Sequence, residues 1–167
     1  GRGSIEIRVI DVQESPLADL AYSTLAIGAL RLLVEERLSP LYRQQALEVS
    51  ELAAVLLHSV RDGERAVVED LPYLRALGMN DGKATAGEVW WHLLEAVEGA
   101  GLLEDGETSG TLHRLLTRGT LAREILKALE LQCGGGGEGA PPPPREELLE
   151  VYRELGRCLQ EGRIFLV

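Results

Sequence analysis

Aromatic residues are scarce in this chain. One Phe, two Trp and four Tyr make up 4% of 167 residues, so Leu, Val, Ile and Ala must build any core. Basic residues are also few. The 17 Lys and Arg stand against 27 Asp and Glu, a formal net charge of −10. Binding a phosphate backbone needs clustered cations, and the clear basic grouping, Arg114, Arg118 and Arg123 in "LHRLLTRGTLARE", is outweighed by acids elsewhere. No nucleic-acid partner is expected. The three arginines read as a solvated helix edge, with contact to an acidic substrate or a further domain as the alternative. Two cysteines, Cys133 and Cys158, cannot make a disulfide framework in a chain this long. With no secretory leader visible, the cytoplasm is the expected compartment. Long apolar runs are missing too. "LAYSTLAIGALRLLV" is interrupted by Arg31 and preceded by Asp19, short of the roughly 20 residues of a membrane span, and reads as a buried helix with no membrane partner. Methionine occurs once, as Met79, and the first residue is Gly1, so the chain is expected to begin inside a longer protein.

What remains is an ordinary globular composition, 45% hydrophobic and 26% charged, long enough for one domain with its own core. Helix punctuation is frequent. Ser15-Pro16 pairs an N-cap with proline at the first helical position, and apolar residues then run almost all round from Leu17 to Val34, as in an enclosed helix. Ser39-Pro40 repeats the signal, and the pattern continues helically to Asp62-Gly63. A shorter helix over Leu71–Leu77 stops at Gly78. Thr85 and Glu88 form a capping box that opens "EVWWHLLEAV", ending at Gly99 or Gly101. "LLEDGETSG" reads as a loop. "TLHRLLTRG" and "TLAREILKALEL" follow as two helices, Gly119 closing one and Thr120 capping the next. "CGGGGEGAPPPP" combines flexible glycine with extended polyproline and packs no core. "REELLEVYRELGRCLQEG" is a last amphipathic helix before the tail "RIFLV". The expected fold is mainly α: a helical bundle of six or seven helices with one N-terminal β-strand from a larger antiparallel sheet. The expected divisions are a terminal strand over 1–14, a helical region over 15–132, a Gly/Pro linker over 133–144, and a C-terminal helix with tail over 145–167.

The strand is Ser4-Ile5-Glu6-Ile7-Arg8-Val9-Ile10-Asp11. Alternation places Ile5, Ile7 and Val9 on one face and Glu6, Arg8 and Ile10 on the other, with Glu6 and Arg8 roughly 7 Å apart. A strand needs a ladder partner for its backbone groups, which either sequence outside the chain or another copy in a homo-oligomer supplies. A carboxylate can ligate Mg²⁺ and a guanidinium can hold a phosphate or a substrate carboxylate. On pattern alone, a solvated Glu/Arg pair is the simpler account.

"GSIEIRVIDVQESPLADLAYSTLAIGAL" resembles the segment of the glutamate–cysteine ligase and carboxylate-amine ligase family in which a sheet strand runs into a helix. More distantly, it is similar to the Arg-x-Glu-x-Arg strand of glutamine synthetases. The resemblance implies that Glu6 coordinates the metal at the nucleotide phosphates and that Arg8 contacts substrate or the transferred phosphate, a catalytic and cofactor-binding role. Ser4 stands where the synthetases carry their first Arg, which disfavours glutamine synthetase itself. Asp11 and Gln13 match a ligase-type D-x-Q continuation, implying a positioning role at the strand-to-helix corner. "YLRALGM", "ATAGEVWWHLLEAV", "LLTRGTLARE" and "CLQEGRIF" resemble the helical C-terminal part of such ligases, although the Gln that many members carry near Glu124 is absent. The implied chemistry uses ATP and Mg²⁺: a carboxylate, glutamate being the prototype, is phosphorylated, and an amine such as cysteine displaces phosphate to give an amide. The implied partner is the remainder of the catalytic domain upstream of Gly1, without which this part is expected to be inactive.

Other candidates point elsewhere. His58, His92 and His113 lack metal-ligand spacing and sit within helical patterns. Of Trp90 and Trp91, about 100° apart on a helix, at least one is expected in the core. Cys133 lacks a CxxC partner or nearby base and reads as an inert linker thiol. The glycine run lacks the Gly-x-x-x-x-Gly-Lys-Ser/Thr spacing of a phosphate loop. The competing reading is a non-catalytic helical interaction module that docks its N-terminal strand on the edge of a partner's sheet.

Overall fold

Ser15 begins the longest helix, α1 (Pro16–Val34). Its hydroxyl accepts from the Ala18 N–H at 3.3 Å, Pro16 presets the first helical φ, and Asp19 sits in the first turn, where a carboxylate suits the helix dipole. The computed structural model describes residue 6 and residues 10–103, 106–133 and 143–167, the side chains of 131–133 excepted. Among them, α1 is followed by α2 (Leu41–Gln45), α3 (Val49–Asp62), β1 (Val67–Val68), α4 (Leu71–Ala76), β2 (Ala84–Thr85), α5 (Ala86–Gly99), α6 (Gly106–Arg118), α7 (Leu121–Cys133) and α8 (Arg145–Glu161). The protein is mainly α.

Three groups of buried side chains hold these helices. The largest joins α1 to α5 and α6 through Ala18, Ala21, Leu25, Leu32, Leu94, Val97, Leu112 and Leu115. Alanines on α1 let the helices approach closely, and Gly28 goes further: a Cβ there would stand 2.6 Å from Val97 Cγ1. A second group links α1, α4, α5 and both strands, with Leu74, Met79 and Leu93 among its members. The third is separate and lies between α7, α8 and the tail: Ala128, Leu129, Val151, Cys158 and Phe165. By length and apolar composition α1 is enough to cross a membrane, which corrects the expectation drawn from its Arg31 interruption. Its buried residues serve the first two cores, while Leu20, Ile27 and Val34 face outward at 63–75% exposure.

Several boundaries differ from the sequence reading. The helix expected from Ser39-Pro40 to Asp62 is two, because the chain turns at Ala46–Glu48. Ser39 does not cap; its hydroxyl donates to the Ala76 carbonyl at 2.6 Å. The Gln44 amide donates to the carbonyls of Leu33 and Ser39, which ties α2 to the end of α1. "GETSG" is not loop but the first turns of α6. β1 and β2 pair antiparallel, Val67 with Thr85 and Val68 with Ala84, a ladder too short to show in residue alternation. The expected strand over Ser4–Asp11 lies outside the described residues except for Glu6, Ile10 and Asp11, which have no regular secondary structure. Most of the expected linker, 134–142, also lies outside them, and α7 continues through Cys133.

Candidate functional site

The three buried charged residues among those described, Glu14, Arg118 and Glu124, gather where the N-terminal corner, the α6–α7 junction and the C-terminal tail meet. At the corner, the Gln13 N–H donates to Asp19 Oδ1 at 2.9 Å and its side-chain amide donates to the Asp11 carbonyl at 2.8 Å. The next residue, Glu14, turns inside, its side chain 1% exposed. Its partner is Arg118, the last residue of α6. Arg118 Nη1 donates to Glu14 Oε1 at 2.6 Å and Nη2 to Oε2 at 3.4 Å, a two-pronged pair.

The same two groups hold a piece of extended backbone. Glu14 Oε1 also accepts from the Phe165 N–H at 3.0 Å, and Arg118 Nη1 donates to the Phe165 carbonyl at 2.7 Å. Two residues on, the Val167 N–H donates to Glu124 Oε2 at 3.2 Å. Glu124 is buried on α7 and takes a short hydrogen bond from Lys127, whose ammonium also reaches the Arg118 carbonyl at 3.3 Å. The tail is thus fixed as a strand is fixed, but with carboxylates and a guanidinium in place of a neighbouring strand. Phe165 anchors it, 4% exposed in the third core. An open cleft of about 430 Å³ is lined by the tail together with Ala128, Glu150, Val151 and Glu154.

Tyr22 of α1 completes the surroundings. Burial pushes its hydroxyl above the usual tyrosine range, and the adjacent Arg118 guanidinium offsets part of that rise. Among the described residues, Arg118 Nε is a buried donor without a partner. The structure corrects the reading of Arg118 as solvated edge. Thr111, Leu112, Leu115 and Arg118 all lie on the buried face of α6, so the guanidinium stands at the end of an apolar stripe, where it faces the Glu14 carboxylate. Arg114 remains exposed, and Arg123 pairs with Glu64 at 3.0 Å.

Glu64 ties the central helices to α7. It accepts from Arg123 Nε and from the backbone and hydroxyl of Thr120, the residue that caps α7. Burial opposes its ionisation, yet these hydrogen bonds and one from its own backbone hold the carboxyl below its usual range. A third cluster joins α5 to α6: Glu98 Oε1 accepts from the Ser109 hydroxyl at 2.5 Å and meets His113 Nε2 at 3.1 Å, with Trp91 edge-on to the His113 ring. Serine and histidine both bind the carboxylate, so this is no nucleophile-and-base relay. It is a clasp. The Ser109 hydrogen bond, then His113, hold the Glu98 carboxyl below its usual range. A depressed carboxyl stabilises the fold when ionised, and that contribution disappears as pH falls through the lowered value. In Ser109→Ala the carboxyl should be less depressed and the contribution smaller, read as a lower thermal midpoint near neutral pH and a shallower fall of that midpoint on acidification.

Of the residues singled out for catalysis, the structure describes one, Glu6. Glu6 is exposed, on chain without regular secondary structure, and Arg8 lies outside the described residues. His92 Nε2 lies 2.9 Å from the Leu77 carbonyl, His58 is exposed, and Trp91 is the more enclosed of the two tryptophans. The described residues contain no grouping of three or more His, Cys, Asp or Glu that could hold a metal. Comparison with family models, curated proteins and solved structures returns no match.

Proposed function

We propose that the chain is the C-terminal part of an ATP-dependent carboxylate–amine ligase of the cytoplasm, joining glutamate or a similar carboxylate to an amine such as cysteine. The observation that carries this reading is the opening segment, "SIEIRVIDVQ", running through a pinned corner into a long apolar helix. Its surroundings support it. Ile10 and Val12 are 40% and 82% exposed, and a shallow cleft between them and α1 is lined by Asp19 and Ser23. Leu20 and Ile27 are exposed further along α1. In this reading the other strands of the catalytic sheet cover that apolar surface.

Glu6 then supplies one metal ligand and Arg8 a contact to phosphate or substrate. Mg²⁺ takes about six oxygen ligands, so the described residues do not assemble its site, and the rest of the catalytic domain provides the other contacts. When bound, the metal neutralises phosphate charge. The substrate carboxylate attacks the terminal phosphorus of ATP and ADP leaves. The amine then attacks the acyl carbon, phosphate departs, and the amine loses a proton. The test is a ligation screen of the full-length protein with ATP, Mg²⁺, glutamate and a panel of amines. Amide formation that depends on ATP and glutamate is the expected result; no ATP turnover with any pair refutes the reading.

One observation favours the alternative, a non-catalytic interaction module. α3 buries none of its residues and exposes Val49, Leu57 and Val60 at 67–79%, an apolar face suited to a partner or a second copy. The same screen separates the two, since the module turns over no ATP.

A further inference from the structure

We propose that Glu14, Arg118 and Phe165 are positioning residues for the segment carrying Glu6, with the C-terminal tail as the strap that keeps the corner in place. The functional half of this inference rests on the ligase reading; the mechanical half does not.

Glu14 stands eight residues after Glu6, at the point where the chain enters the bundle. A buried carboxylate facing only a guanidinium could shift with it, because α6 and α1 meet mainly through apolar side chains. The tail removes that freedom. Phe165 offers one N–H and one carbonyl, and each meets one half of the ion pair, so the pair and the tail backbone close a three-membered hydrogen-bonded ring. Phe165 itself is locked into the core formed by α7 and α8, and the Val167–Glu124 bond fixes the tail two residues further on. The corner is thereby referenced to three elements besides α1. A side chain acting in phosphoryl transfer must hold its place closely, since displacement by about 1 Å can cost a hundredfold in rate.

Phe165→Ala removes the anchor, and Leu166→Ala, at a residue 56% exposed, is the control. Amide hydrogen exchange on the 167-residue chain reads the mechanical half. The amide of Gln13 and its neighbours over 10–15 should exchange at least about tenfold faster in Phe165→Ala, with α5 changed less than about twofold and Leu166→Ala like wild type. Unchanged exchange at the corner overturns the strap. Parallel loss of protection in α5 overturns it too, because the tail would then support the whole fold and not the corner. In the full-length protein, Phe165→Ala should raise the KM for Mg-ATP about tenfold, a change that a smaller folded fraction does not produce. A looser corner with unchanged KM refutes the positioning role while leaving the ligase standing. Absence of ligase activity in wild type refutes the ligase and the positioning role, and the exchange result still decides the strap.

Discussion

Glu14→Ala is expected to lower the free energy of unfolding by about 3–5 kcal/mol, the usual cost of leaving a buried charge without its partner. Arg118 is 7% exposed and cannot recover the lost carboxylate by turning into water. Its Nε already lacks a partner, so removal of Glu14 leaves most of a guanidinium unsatisfied. The Phe165 N–H loses its acceptor in the same step. Chemical denaturation followed by circular dichroism measures the effect, and a loss below about 1 kcal/mol would show that water reaches the pair. The double variant Glu14→Leu with Arg118→Met should recover only part of the stability. Replacing a buried pair with apolar groups is often neutral or favourable, but here the backbone N–H and carbonyl of Phe165 stay buried and unpaired, at about 1–3 kcal/mol each.

Glu6→Ala in the full-length protein is expected to reduce ATP-dependent amide formation at least about a hundredfold, equivalent to about 2.7 kcal/mol of transition-state stabilisation. Losing one charged contact to the reacting phosphate costs this much elsewhere. The fold should survive, because Glu6 is exposed and outside the helices. Steady-state amide formation beside a far-ultraviolet dichroism spectrum checks both halves. Near-normal turnover refutes the role given to Glu6.

Much of the helical architecture was legible because its signals are local. Ser15-Pro16, the Thr85–Glu88 box, Gly78 and the Gly119-Thr120 break each act within four residues, and each stands where the sequence placed it. Ser39-Pro40 looked identical to Ser15-Pro16 and behaves differently, since a carbonyl 37 residues away captures the hydroxyl. Arg118 failed for the same reason. Its charge suggested solvent, while its spacing from Leu112 and Leu115 placed it on the buried stripe, and only Glu14, 104 residues away, makes those facts compatible. The spacing was the better guide. Glu6 and Arg8 drew attention by alternation and resemblance, neither of which fixes contacts across a sheet.

The corner clasp also sets a clock. Glu14 and Phe165 are 151 residues apart, so at about 5–20 residues per second a nascent chain exposes the Glu14 carboxylate roughly 8–30 s before its last partner is made. α1, α5 and α6 can collapse around their shared leucines during that interval. The N-terminal corner is sealed only when synthesis has passed Phe165, so it is among the last features of this fold to set.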